Sequence, residues 1–105
     1  MDTNRLREII EYKKTLDIND PAIMDCWKKE AELLSENVSE TISFIDNECT
    51  DDEFYWLCEV FDDVISKTQS RELLRILIDR NSRVKDPEQR ESNMVDLNFA
   101  KDSLD

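Results

Sequence analysis

The sequence predicts an all-α fold: a compact single domain over residues 1–105, built as a bundle of about five to six short antiparallel helices. Three observations carry that expectation. The chain contains no glycine and only two prolines, Pro21 and Pro87. Tight hairpins, phosphate-cradling loops and nucleophile elbows need residues at positive φ or a close backbone approach, which glycine normally supplies. Their lack argues against β-rich folds and nucleotide-binding loops. Hydrophobic residues make up 39% of the chain and charged residues 38%, a helix-rich globular balance and not that of a disordered tail. Finally, helix-start signals recur along the whole length. A chain of this size can build one core without disulfide or metal staples.

The elements follow from those signals. A first helix is expected over about 3–16, capped by Asp2 or Thr3, with Leu6, Ile9, Ile10 and the stem of Lys13 inward. Asp20-Pro21 places a cap residue before a proline whose missing N–H costs nothing at a helix start. From there Ile23, Cys26, Trp27, Ala31 and Leu34 recur at i, i+3, i+4 spacing, giving a second helix to about residue 34 with Trp27 in the core. Ser35 or Asn37 opens a third, with Val38, Ile42, Ile45 and Cys49 inward. Thr50-Asp51-Asp52-Glu53 reads as a capping box, with acids at the positive end of the helix dipole, and starts a fourth helix to about Lys67. Ser70 caps a fifth, whose stripe is Leu73, Leu74, Leu77 and Ile78. Asp86-Pro87 repeats the cap-plus-proline device and starts a sixth, ending near Leu104.

Charge is segregated along the chain. Between Glu30 and Ser66 stand twelve acidic side chains and no lysine or arginine, while the formal net charge of the whole protein is also -12. Residues 1–29 carry six acids and six bases, and residues 67–105 carry eight of each. Concentrated like-sign charge raises the free energy of a compact state and steers oppositely charged partners. The alternative is that these acids are merely solvated helix faces.

The fourth helix sharpens the question. At about 100° per residue, Phe54, Leu57, Cys58, Phe61 and Ile65 share one broad face, the core stripe. Opposite them Asp52, Trp56, Glu59 and Asp63 form a narrow stripe, flanked by Tyr55 and Asp62. An exposed tryptophan rimmed by charge is characteristic of an interface anchor. The competing expectation is that another segment covers Trp56.

Chemistry that needs a catalytic or metal centre finds little support. There is no histidine, the side chain best suited to proton transfer near neutral pH and the commonest metal ligand. Cys26, Cys49 and Cys58 lack the short spacing of zinc or redox sites, and an odd count closes no disulfide framework, so they are expected as core thiols in a reducing cytosol. The acids do not match a calcium loop, which needs alternating ligands around a glycine turn. No catalytic residue, metal site or cofactor is expected, and the protein is not expected to be an enzyme. The bases of the last third (Arg71, Arg75, Arg80, Arg83, Lys85 and Arg90) are interleaved with acids such as Glu72 and Asp79, which suits surface ion pairs better than nucleic acid. Without an apolar leader or spanning run, the chain is expected to be cytoplasmic, with no membrane partner.

Several runs resemble a known group. They are Asp52-Glu53-Phe54-Tyr55-Trp56-Leu57-Cys58-Glu59-Val60-Phe61-Asp62-Asp63-Val64, then Lys67-Thr68-Gln69-Ser70-Arg71-Glu72-Leu73, then Met94-Val95-Asp96-Leu97-Asn98-Phe99-Ala100. From Cys49 to Leu104 the chain resembles small bacterial immunity proteins that accompany polymorphic toxins, including those of contact-dependent growth inhibition. In that group a Trp-hydrophobic-x-Glu-Val-Phe-Glu/Asp-Asp run precedes a Gln-Ser pair, and a short acidic helix closes the chain. Residues 1–48 carry no such pattern.

The resemblance implies a binder of a cognate toxin's cytotoxic C-terminal domain, often a nuclease with a basic cleft, in a 1:1 complex. An acidic inhibitor would occupy or border that cleft. The contact set expected here is Glu48, Asp51, Asp52, Trp56, Glu59, Asp62 and Asp63, with Trp56 as the desolvated anchor. Two alternatives stay open: a helical adaptor that binds a partner through a Trp-centred apolar surface, and a self-assembling protein that uses Trp27 or Trp56 in a homodimer.

Overall fold

A computed structural model describes residues 1–105 and contains helices and no strand. The elements are α1 (Thr3–Lys14), α2 (Ala22–Ser35), α3 (Val38–Ser43), α4 (Asp51–Leu57), α5 (Phe61–Thr68), α6 (Arg71–Ser82) and α7 (Pro87–Asp102). A π turn, Phe44–Glu48, extends α3, and a 3-10 turn, Cys58–Val60, joins α4 to α5. The expected fourth helix is thus one continuous helical stretch, overwound in its middle. A radius of gyration of 12.7 Å equals that of a single globular unit, about 13 Å for this length. The chain is an all-α single-domain bundle.

Most capping signals fold as read. At α2 the helix begins one residue later than expected, with Pro21 in the cap position without a side-chain cap bond and Asp20 accepting from the Ala22 N–H. Asp2 accepts from the Arg5 N–H, Asn37 from the Glu40 N–H and Ser70 from the Leu73 N–H. At Thr50 the capping box is complete: its hydroxyl accepts from the Glu53 N–H, and Glu53 accepts from the Thr50 N–H, both at 3.0 Å. Asp86 caps α7 with Pro87 beside it. Each device satisfies backbone donors that the helix itself cannot.

The α4–α5 stretch is the spine. Phe54, Leu57, Cys58, Phe61, Val64 and Ile65 are all buried, and the Phe54 and Phe61 rings meet at 5.4 Å. Around it α2 packs on α1 and α5, α1 on α4, and α7 on α5 and α6. Of the stripe expected on the third helix, Ile45 and Cys49 are buried. Thr41 and Phe44 are buried as well, whereas Val38 and Ile42, expected inward, are only half-buried. Ile78 likewise lies on the rim of the α6 stripe and not in the core.

One position needs the left-handed backbone, and in a chain without glycine Gln69 takes it, at φ 51° and ψ 30°. Its side chain offsets the steric cost. The amide donates to the Ser66 and Ser103 carbonyls at 3.0 Å each, and Oε1 accepts from the Asp105 N–H at 2.9 Å. Gln69 therefore ends α5 and ties the end of the chain to it.

Candidate functional site: an acidic groove at Trp27

Folding redistributes the segregated charge. Eight of the twelve central acids come within 4.0 Å of a cation: Glu30, Glu40, Asp46, Asp51, Asp52, Glu53, Glu59 and Asp63. All of those cations lie outside the acidic third. Arg7 from α1 bonds Glu53 at 2.7 Å and the Glu48 carbonyl at 3.3 Å, with its guanidinium over the Phe44 ring. From the other side Arg80 bonds Asp51 at 2.7 Å and the Cys49 carbonyl at 2.9 Å, over the Phe54 ring. Arg83 bonds Asp46 at 2.6 Å. The junction between α3 and α4 is thus clasped by arginines from α1 and α6. The alternation of bases with acids along α6 does give the Asp79–Arg83 pair, but Arg80 and Arg83 also reach across to the acidic third.

This placement separates the seven expected contact residues. Asp51 is structural: the Lys85 backbone N–H and the Arg80 side chain hold its carboxyl below the usual carboxylate range. Asp52 is tied to Lys14, and this hydrogen bond raises the lysine above its ordinary value. Glu48 is exposed but stands apart, near the Arg7 clasp. Trp56 does not face away from the core as expected. It is half-buried, packs on the core cluster, and is roofed by the ammonium groups of Lys13 and Lys14 at 6.0 and 5.9 Å from its ring. The first helix covers it, which the helical phase of residues 52–63 alone cannot reveal.

The other tryptophan changes role in the opposite sense. Trp27, expected in the core, is 39% exposed, and its indole N–H donates to Glu59 Oε1 at 2.6 Å. Its place on the apolar stripe of α2 is taken by Glu30, which is fully buried. Lys13 reaches in from α1 and bonds Glu30 at 2.9 Å, Glu59 at 2.8 Å and the Trp56 carbonyl at 2.6 Å. The 3-10 turn interrupts the regular helical ladder at this point, where a side-chain donor can meet main-chain acceptors. Burial pushes the Glu30 carboxyl up to about 7 against the pull of Lys13, and its Oε2 has no partner. The sequence signal for Glu30 was its phase with Ile23, Cys26 and Leu34.

A groove opens beside this network, between α2 and the start of α5. Its volume is about 420 Å³, and its lining includes Met24, Trp27, Lys28, Glu59, Val60, Asp62 and Asp63. Asp62 makes no ion pair and accepts from the Asp63 N–H. On α7, Asp96 is half-buried, and its carboxyl is raised by burial, then by the negative charges of Glu59 and Asp62. Three of the expected residues, Glu59, Asp62 and Asp63, therefore converge here. Met24 and Trp27 join them from α2, with Asp96 of α7 close enough to Glu59 and Asp62 to feel their charge, and only the fold could place them.

Comparison of the chain with protein-family models, curated proteins and solved structures gives no match. The groove's chemistry must be read from its own residues. It combines an exposed indole and thioether, an apolar floor at Val60 and convergent carboxylates. No nucleophile and base stand together in it, and no group of three or more His, Cys, Asp or Glu side chains is arranged to hold a metal ion. The three thiols are buried and free, and burial pushes Cys49 up to about 12 and raises Cys58 further, so neither favours the reactive thiolate. No helix is long and apolar enough to cross a membrane. The arrangement is suited to holding cationic groups on another molecule's surface.

Proposed function

We propose that this protein is an immunity protein that binds the cytotoxic domain of a cognate toxin, a basic nuclease domain, and neutralises it by covering its cationic surface in a 1:1 complex. The observation that carries this reading is the convergence of Glu59, Asp62 and Asp63 beside the exposed Trp27, with Asp96 within the field of Glu59 and Asp62. Asp96 feels the negative charge of Glu59 and Asp62 although distant cations fold over most of the acidic third. Glu59 and Asp63 are paired with Lys13 and Lys67, which leaves Asp62 without a cation beside the aromatic. Net negative charge there raises the on-rate of a basic partner, and the aromatic provides a desolvated anchor. The contact surface is thereby shifted from the Asp52–Trp56 side of the fourth helix to the edge formed by α2, α5 and α7.

The test is co-expression with the open reading frame immediately upstream of this gene. Co-purification of a basic domain, with growth restored by this protein, supports the proposal. Growth arrest that persists, with no basic partner recovered, counts against it. A second reading, a helical adaptor, draws on α7, where Val95 and Phe99 are 57% and 61% exposed on one stripe. A partner whose binding ignores salt and is lost in Phe99→Ser would favour the adaptor.

A further inference from the structure

We infer that the groove between α2 and α5 receives an arginine side chain presented by the basic partner, with the guanidinium stacked on Trp27 and hydrogen-bonded at Asp62. This inference rests on the proposal that the protein binds a basic partner, and it names the group recognised. The groove's two halves match the two halves of an arginine. Met24, 68% exposed, together with Trp27 and Val60, offers apolar surface to the methylene stem. Glu59, Asp62 and Asp63 stand around it against one lining cation, Lys28.

The carboxylates are not equivalent. Glu59 is engaged by Lys13 and by the Trp27 indole, so it fixes the ring and contributes field. Asp63 pairs with Lys67 on its own helix. Asp62 lacks a cationic partner, and Asp96 on α7 adds like-charge repulsion. A cation entering here relieves that repulsion, which gives the site its sign. The chemistry of the lining favours arginine over lysine. A planar guanidinium stacks on an indole face and forks onto a carboxylate, whereas an ammonium is a more strongly hydrated point charge.

The experiment is a titration of the ¹⁵N-labelled full chain with N-acetyl-arginine amide, and in parallel with N-acetyl-lysine amide, at physiological ionic strength. The two indole N–H signals, assigned with Trp27→Phe, report the two tryptophans separately. The Trp27 signal is expected to shift saturably while that of Trp56 stays in place, with the lysine analogue about tenfold weaker. In Asp62→Asn/Asp63→Asn the arginine response should be lost. No saturable shift at Trp27, or an unchanged response in that variant, overturns the inference. The upstream product separates the two readings. If it binds that variant as tightly as the wild type, the groove inference fails while the immunity proposal stands. If no basic partner exists, the immunity proposal fails, and the arginine titration still decides the groove.

Discussion

Lys13 and Glu30 show how a side chain's chemistry is set by its surroundings. The carboxylate of Glu30 is fully buried beside one ammonium, and burial dominates its titration. Its folded value near 7 lies above the ordinary 4.5, so the native state holds a proton that the unfolded chain has released. The stabilisation from this proton is fully present below about pH 4.5 and is lost as pH rises through 7. Urea unfolding should therefore show stability falling by roughly 1–3 kcal/mol between pH 5 and pH 8, and Glu30→Gln should remove most of that slope. An unchanged slope in the variant would assign the titration elsewhere. Lys13→Met leaves the carboxylate buried with no cation in contact and should cost roughly 3–5 kcal/mol, much of it recovered in Lys13→Met/Glu30→Met. Additive costs would mean that the two residues do not share one interaction. The burial of Lys13's stem was legible from its position on the stripe of α1. Glu30 was masked because a charged residue in phase with a stripe reads as solvated until a partner from another helix is known, and that pairing spans seventeen positions.

The helices themselves were the most legible part of the chain, because caps are local. Thr50, Ser70, Asn37 and Asp86 each bond a backbone N–H within three residues, a relation fully contained in the sequence. Thr50→Ala removes the hydroxyl half of the capping box and should cost about 1–2 kcal/mol, read as a lower urea midpoint with the slope unchanged. A cost near zero would mean that the arginine clasp alone fixes the start of α4. The turns inside elements were not legible. The 3-10 turn at Cys58–Val60 and the π turn at Phe44–Glu48 answer to packing and to long-range donors such as Lys13, not to local propensity. Gln69 belongs with them, since its left-handed backbone is compensated by contacts to residues 103 and 105. Gln69→Ala should speed amide exchange at Ser103 and Asp105, whereas unaltered exchange would contradict the tether.

Across the whole protein, charge segregation along the chain becomes charge pairing in space. The balanced flanks supply cations to the central third, so a sequence that reads as one acidic block folds into a clasped junction and a smaller acidic edge. Glu59, Asp62 and Asp63 line one groove, with Asp62 left without a cation, whereas Asp51 and Asp52 are drawn to Arg80 and Lys14 and Trp56 lies under the first helix. Like charges at such an edge oppose folding and favour a basic partner, so stability and binding should move in opposite directions. Asp96→Asn should raise the thermal midpoint of the free protein and weaken its complex. A variant both less stable and unimpaired in binding would make Asp96 a packing residue only. The central claim, recognition of a basic partner by this edge, is tested most directly by the association rate of the complex with the upstream product as ionic strength is raised. The rate is expected to fall steeply, by about tenfold or more from low to high salt, with dissociation little changed. A flat association rate would contradict an electrostatic decoy and leave the apolar stripe of α7 as the binding surface.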